Sequence, residues 1–175
     1  LDLMAVFLAG ATALFPPFAY DILKVGETGL AQLAAAPAIG AAVTALWFSF
    51  RPLKTNVGPK MLWAVALFGL ATIIFGLSRW MPLSLAMLVI VGAADMFSVY
   101  IRQSLIQLHT PDEKRGRVSS ASLLTISASN EGGDAFSGFL ASVIGPAGAV
   151  IFGGVGAIVT VAMWSRIFPV LRKTR

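Results

Sequence analysis

Six apolar stretches alternate with short polar or Gly/Pro-bearing connectors along the chain: 3–22, 29–50, 61–77, 82–108, 111–144 (apolar from Val118) and 146–170. Each is long enough to cross a bilayer as a helix. None shows the strict two-residue alternation of a barrel strand, and several exceed twenty residues, so helices are favoured over a transmembrane barrel. The pattern predicts an all-α polytopic membrane protein, six transmembrane helices forming one unit over 1–175.

Composition supports lipid as the solvent. Of 175 residues, 57% are hydrophobic and 12% charged, against roughly 25% charged in a soluble domain. So few charges cannot coat a water-facing surface. The net charge of +5 does not point to nucleic acid, because the cations fall in the gaps between apolar segments and form no basic face. Arg51, Lys54 and Lys60 lie in the second connector, Lys114, Arg115 and Arg117 in the fourth, and Arg172, Lys173 and Arg175 in the tail. The opposite connectors hold Lys24 and Arg79. The positive-inside rule makes the richer side cytoplasmic. Both termini are then cytoplasmic, as an even helix count requires. The chain opens on Leu1, and its first apolar run starts at Leu3 without a charged leader; it reads as a span, not a signal peptide, and the chain as a piece of something longer.

Local chemistry refines the elements. Thr110, Pro111, Asp112 and Glu113 read as N-cap, N1, N2 and N3 of the fifth helix, a capping box with proline where its missing N–H costs nothing. Gly145, Ala149, Gly153 and Ala157 recur every fourth residue, as do Ala34, Ala38 and Ala42; such stripes let a second helix approach closely. Pro16-Pro17 and Pro37 are expected to kink or open their helices.

Ionisable side chains are expensive in hydrocarbon, so the few inside spans carry the most information. Asp95 and Arg102 lie in the fourth span, Glu131 and Asp134 in the fifth. At about 1.5 Å per residue, Asp95 and Glu131 each sit about 20 Å from the start of their own apolar segment, near mid-membrane. Asp134 is one turn further outward, and Arg102 is two turns inward of Asp95 on almost the same face. A protonatable carboxylate at this depth is what proton-coupled transport requires. The bland alternative is that these charges neutralise one another and hold two helices together, or line a wet cavity passively. Asn130 reads as a hydrogen-bonding partner for a neighbouring helix in preference to a substrate, and His109 as an interfacial polar cap in preference to a proton relay.

Enzyme readings find no support. The chain has no cysteine and one histidine, so no disulfide, no metal site and no cofactor-binding cluster is expected. An intramembrane serine protease needs a base beside its serine at depth, and His109 lies at the interface. Gly153-Gly154-Val155-Gly156, in an apolar span, reads as a helix contact.

Two connectors and one helix carry a resemblance. Arg51-Pro52-Leu53-Lys54-Thr55-Asn56-Val57-Gly58-Pro59-Lys60 resembles the degenerate second copy of the basic loop motif of the major facilitator superfamily, with Arg51 opening it and Gly58 and Lys60 at its closing glycine and basic positions. The acidic residue of the fuller motif is missing, with Thr55 and Asn56 in its neighbourhood. Pro111, Arg115, Gly116 and Arg117 resemble the Pro-x-x-x-Arg-Gly-Arg connector of that superfamily. The run from Gly92 to Arg102, with Ser129-Asn130-Glu131, is similar to the enterobactin-exporter-like branch. The resemblance implies a twelve-helix secondary transporter of which this chain is the C-terminal six-helix half, in a bacterial cytoplasmic membrane. Its partners are then the bilayer, the N-terminal six-helix half, protons, and a small exported molecule such as a siderophore or drug. Asp95, Glu131 and Asp134 are the candidates for proton coupling or cavity polarity, with Arg102 as their electrostatic partner. The alternative from another class is a non-transporting six-helix scaffold whose buried charges bind a partner helix.

Overall fold

The computed structural model describes residues 12–51 and 57–167. Residues 3–11 of the first predicted span, Lys54, Thr55 and Asn56 of the second connector, and the tail cations Arg172, Lys173 and Arg175 lie outside the described residues. The described residues are helical with no strand, and four of their helices are long and apolar enough to cross a membrane. They are α1 (Gly26–Phe50), α2 (Val57–Leu77), α3 (Met81–His109) and α4 (Asp112–Ile167).

A short helical segment precedes them and passes through three helix types: 3₁₀ over Thr12–Leu14, α over Phe15–Pro17 and π over Phe18–Ile22. Pro16 and Pro17 supply no N–H, so the regular ladder cannot pass through them. It resumes wider, with the Leu23 N–H donating to Phe18 O at 2.8 Å and the Val25 N–H to Ala19 O at 2.9 Å. The opening expected at this proline pair is therefore present. Pro37, by contrast, sits inside an uninterrupted α1.

α4 is 56 residues long but has one non-helical residue, Gly145, at φ 80° and ψ 162°. Phe136 and Phe152 flank that residue with their ring centroids 6.4 Å apart. Sixteen positions along a straight helix would separate them by about 24 Å. The chain therefore folds back at Gly145 into two limbs, 112–144 and 146–167. Only glycine takes this backbone conformation without strain. Pro146 follows, where a proline suits the first turn of the returning limb.

Lipid gives helices no hydrophobic reason to associate, so close backbone approach has to hold them together. It occurs in two places. α1 and α3 cross at Gly40 and Gly92: a Cβ on Gly40 would collide with the Val89 carbonyl, and one on Gly92 with the Pro37 carbonyl. α2 and the second limb of α4 cross at Gly69 and Gly154, where a Cβ on either lies 2.7–2.8 Å from the other's carbonyl oxygen. The second pair is antiparallel, since Gly69 faces Gly154 and Ala157 while Gly76 faces Val150 and Ile151. In the first pair Phe48 meets Phe97 and Tyr100 while Pro37 meets Gly92. Those two helices run in the same direction.

Of the stripe Gly145, Ala149, Gly153 and Ala157, the last three are buried, while Gly145 is the half-buried bend, where a Cβ would meet nothing. The alanine stripe of α1 is a correction: Ala34, Ala38 and Ala42 are all exposed, and the buried face is Gly29, Leu33, Ala36, Gly40 and Phe48. Gly40 decides the phase, because it lets the α3 backbone come closer than any alanine would.

The largest core cluster joins Leu14, Phe15, Phe18, Leu33, Phe75, Leu88, Ala149 and Val150. Phe18 stacks on Phe75 at 4.5 Å and Phe15 meets it edge-on at 6.2 Å. At the adjoining α2–α3 turn, the buried Ser84 hydroxyl donates to Ser78 Oγ at 2.9 Å and Ser78 Oγ to the Trp80 carbonyl at 3.0 Å. Polar groups in this dry turn thus satisfy one another.

Two outcomes are expected for stability, read as unfolding free energy in mixed micelles. Gly40→Val drives α1 from α3 and costs about 1–3 kcal/mol or more, while Ala34→Val on the exposed side stays within about 0.5 kcal/mol. Gly145→Ala strains the bend by about 1–3 kcal/mol; equal stability of Gly40→Val and Ala34→Val would remove the glycine crossing from this account.

Candidate functional site

Asp95 is the middle residue of α3, a helix about 43 Å long by its rise and so longer than the roughly 30 Å hydrocarbon layer. Its helix neighbours Ala94 and Ser98 are buried, and Asp95 itself is half-buried. Arg102, two turns on, is also half-buried, and both side chains are engaged by neighbours. None of the large hydrophobic side chains described in α3 is exposed. Both α1 and α2 pack on it.

Glu131 and Asp134 come from the first limb of α4. That limb turns a face of small, mostly polar residues toward the rest of the protein: Ser119, Ser122, Ile126 and Ser129 are half-buried and Gly133 and Ser137 buried. Glu131 and Asn130 lie on the other side and are exposed. Asp134 is half-buried and bound: the Thr12 hydroxyl donates to its Oδ1 at 2.8 Å and its Oδ2 at 2.9 Å. A single hydroxyl hydrogen shared by both oxygens fixes the carboxylate in plane with the Thr12 oxygen. This contact ties the proline-broken segment to α4 across 122 positions of sequence. Thr12 was not foreseen as a site residue. The one available signal is that it is the sole hydroxyl side chain between Leu1 and Pro17.

The connector residues play simpler parts. Thr110 is extended and α4 opens at Asp112, whose carboxylate pairs with Arg115 at 2.6 Å. Arg115 also donates to the Gln107 carbonyl at 3.4 Å, clasping the α3–α4 turn. Pro111, Gly116 and Arg117 are exposed, and a Cβ on Gly116 would meet nothing. Gly58 is buried in the first turn of α2, and Lys60 beside it is half-buried. The Arg51 guanidinium lies 5.5 Å from the centre of the Trp47 ring. The structure thus brings Asp134 to Thr12 and Arg115 to Asp112, while the loop cations are distributed over separate connectors.

Among the described residues no group of three or more His, Cys, Asp or Glu side chains could hold a metal ion. No family model, curated protein or solved structure matches the chain.

Thr12→Val removes the donor and keeps the shape. It is expected to lower stability by about 1 kcal/mol, and Asp134→Asn combined with it should cost less than the two changes added, as measured by a double-mutant cycle. Strict additivity would show that the hydroxyl and the carboxylate do not interact.

Proposed function

We propose that this chain is the C-terminal six-helix half of a major facilitator superfamily secondary transporter. Its activity is proton-coupled export of a small organic molecule, such as a siderophore or drug. The observation that carries the reading is the exposure of Glu131 and Asn130 near the middle of a span otherwise rich in apolar residues. An ionisable group there cannot rest against acyl chains at low cost, so its face meets water or another protein surface. In the transporter that face borders the central cavity, and the absent N-terminal half supplies the opposite wall. The first segment, α1 to α3 and the two limbs of α4 make up the six spans.

Each residue has a role in such a cycle. Glu131, open to the cavity, exchanges protons with whichever side the cavity faces. Asp134, held by Thr12, keeps a polar lining one turn away. Asp95 responds to the cavity from the α3 side, with Arg102 two turns along the same helix. Carboxylates that lose charge on protonation let the two halves close over them, because a neutral acid is far cheaper to enclose than an ion.

Vesicles containing the full-length transporter, with an imposed pH gradient and a panel of siderophores and drugs, test the reading. Glu131→Gln is expected to abolish gradient-driven efflux while leaving substrate exchange without a gradient in place, and Asp95→Asn to weaken both. Undiminished gradient-driven efflux in both variants at normal expression overturns the coupling roles. Binding of a partner helix without any transport by the unmodified protein would favour the scaffold.

A further inference from the structure

A groove of about 470 Å³ runs between three helices, bounded by Val43, Thr44, Trp47 and Phe48 of α1, Lys60 of α2 and Phe97 of α3. Its floor is built: Phe48 is buried, stacked on Tyr100 at 4.4 Å and meeting Phe97 at 5.1 Å. Its open side is apolar, since Val43 and Trp47 are exposed together with Leu46 and Phe50 beside them. Its charge lies at one end. Lys60 lines the groove from the first turn of α2, and Arg51, at the end of α1, lies over the Trp47 ring.

We infer that this groove is a binding site for an anionic phospholipid, with an acyl chain along Val43, Trp47 and Phe97 and the headgroup phosphate at Arg51 and Lys60. Both ends of the ligand are specified by the site. The apolar trench opens where hydrocarbon surrounds the helices, so the occupant comes from the bilayer. The two cations stand where α1 ends and α2 begins, at headgroup level, and an exposed tryptophan at the same level is an interfacial anchor. Basic pockets between membrane helices on the cytoplasmic side hold lipid phosphates in this way. A zwitterionic lipid brings its own cation to the same place and is held less well. Arg51 resting on Trp47 is preorganised, so little side-chain freedom is lost when it meets the phosphate. The site is independent of transport and stands whether or not the chain moves a substrate.

The test is native mass spectrometry of the purified full chain in detergent micelles, titrated with phosphatidylglycerol or phosphatidylcholine of identical acyl chains, and with glycerol phosphate as the headgroup alone. Preferential retention of one phosphatidylglycerol is expected, weakened about fivefold for each of Arg51→Gln and Lys60→Gln. A control carrying Lys114→Gln and Arg166→Gln, exposed cations elsewhere, should retain the lipid as the unmodified chain does. Val43→Trp fills the trench at an exposed position and should lower retention of both lipids without touching charge. Equal retention of the two lipids, or equal losses in the groove variants and the control, overturns the site. Displacement of the lipid by glycerol phosphate at matched concentration overturns it in favour of a free-anion site.

Discussion

Backbone-to-backbone contact at four glycines is the constraint on which the arrangement rests. Between helices immersed in lipid the usual gain from burying apolar surface is absent, and what remains is van der Waals contact at close range. Gly40 with Gly92, and Gly69 with Gly154, provide it. The short turn at Ser78 then sets α2 of one pair against α3 of the other, so the helix that carries Asp95 and Arg102 packs on both α1 and α2. The first limb of α4 makes no comparable contact at Gly116 or Gly138, where a Cβ would meet nothing. It is held from its outer half, by the bend at Gly145, the Phe136–Phe152 contact and the Thr12 hydroxyl. Hence Glu131 stays accessible while residues only two positions on are buried.

Much of this frame was legible from residue order, and the failures have identifiable physical causes. Span positions follow from hydropathy alone, and the charges Asp95, Arg102, Glu131 and Asp134 stand out because nothing else in their runs is ionisable. Gly145 and Pro146 mark a reversal that composition makes visible. What residue order could not supply is phase. Ala34, Ala38 and Ala42 have the right spacing for close approach, yet the face that contacts α3 is set by Gly40, and that choice depends on where Gly92 lies on another helix. Thr12 was illegible for a related reason. A threonine is unremarkable in a membrane helix, and its meaning comes only from Asp134, far away in sequence.

The exposed aromatic residues give the frame a position in the bilayer. Trp63 near the start of α2 and Trp80 just after its end are both exposed, and the rise between them is about 25 Å, close to the hydrocarbon thickness. Trp47 stands near the C-terminal end of α1, beside Arg51. Between Trp47 and Trp63 at one end and Trp80 at the other, Ile39, Val43, Leu67 and Leu70 are all exposed. These four residues lie on α1 and α2, whereas the carboxylates lie on α3 and on the first limb of α4, whose exposed side also carries Leu123, Leu124, Phe139 and Val143.

Depth can be checked without reference to any tryptophan. Thr12 lies ten positions before the end of the first helical segment at Ile22, and Asp134 eleven positions before Gly145, so each is about 15 Å below its own connector. Had the two connectors been at different levels, the side chains could not have met; yet they are joined at 2.8 Å. The connectors therefore share a level, and counting along the helices is a valid ruler in this molecule. Glu131, one turn below Asp134, falls about 20 Å from that level, and Asp95 the same distance from Trp80 at the α2–α3 turn. Counted from their own turns, the three carboxylates lie about 16 to 23 Å along two helices. A single stray acid could be carried as a neutral passenger at modest cost, but three of them, with an arginine two turns away, are far costlier to leave unsolvated than to place beside water.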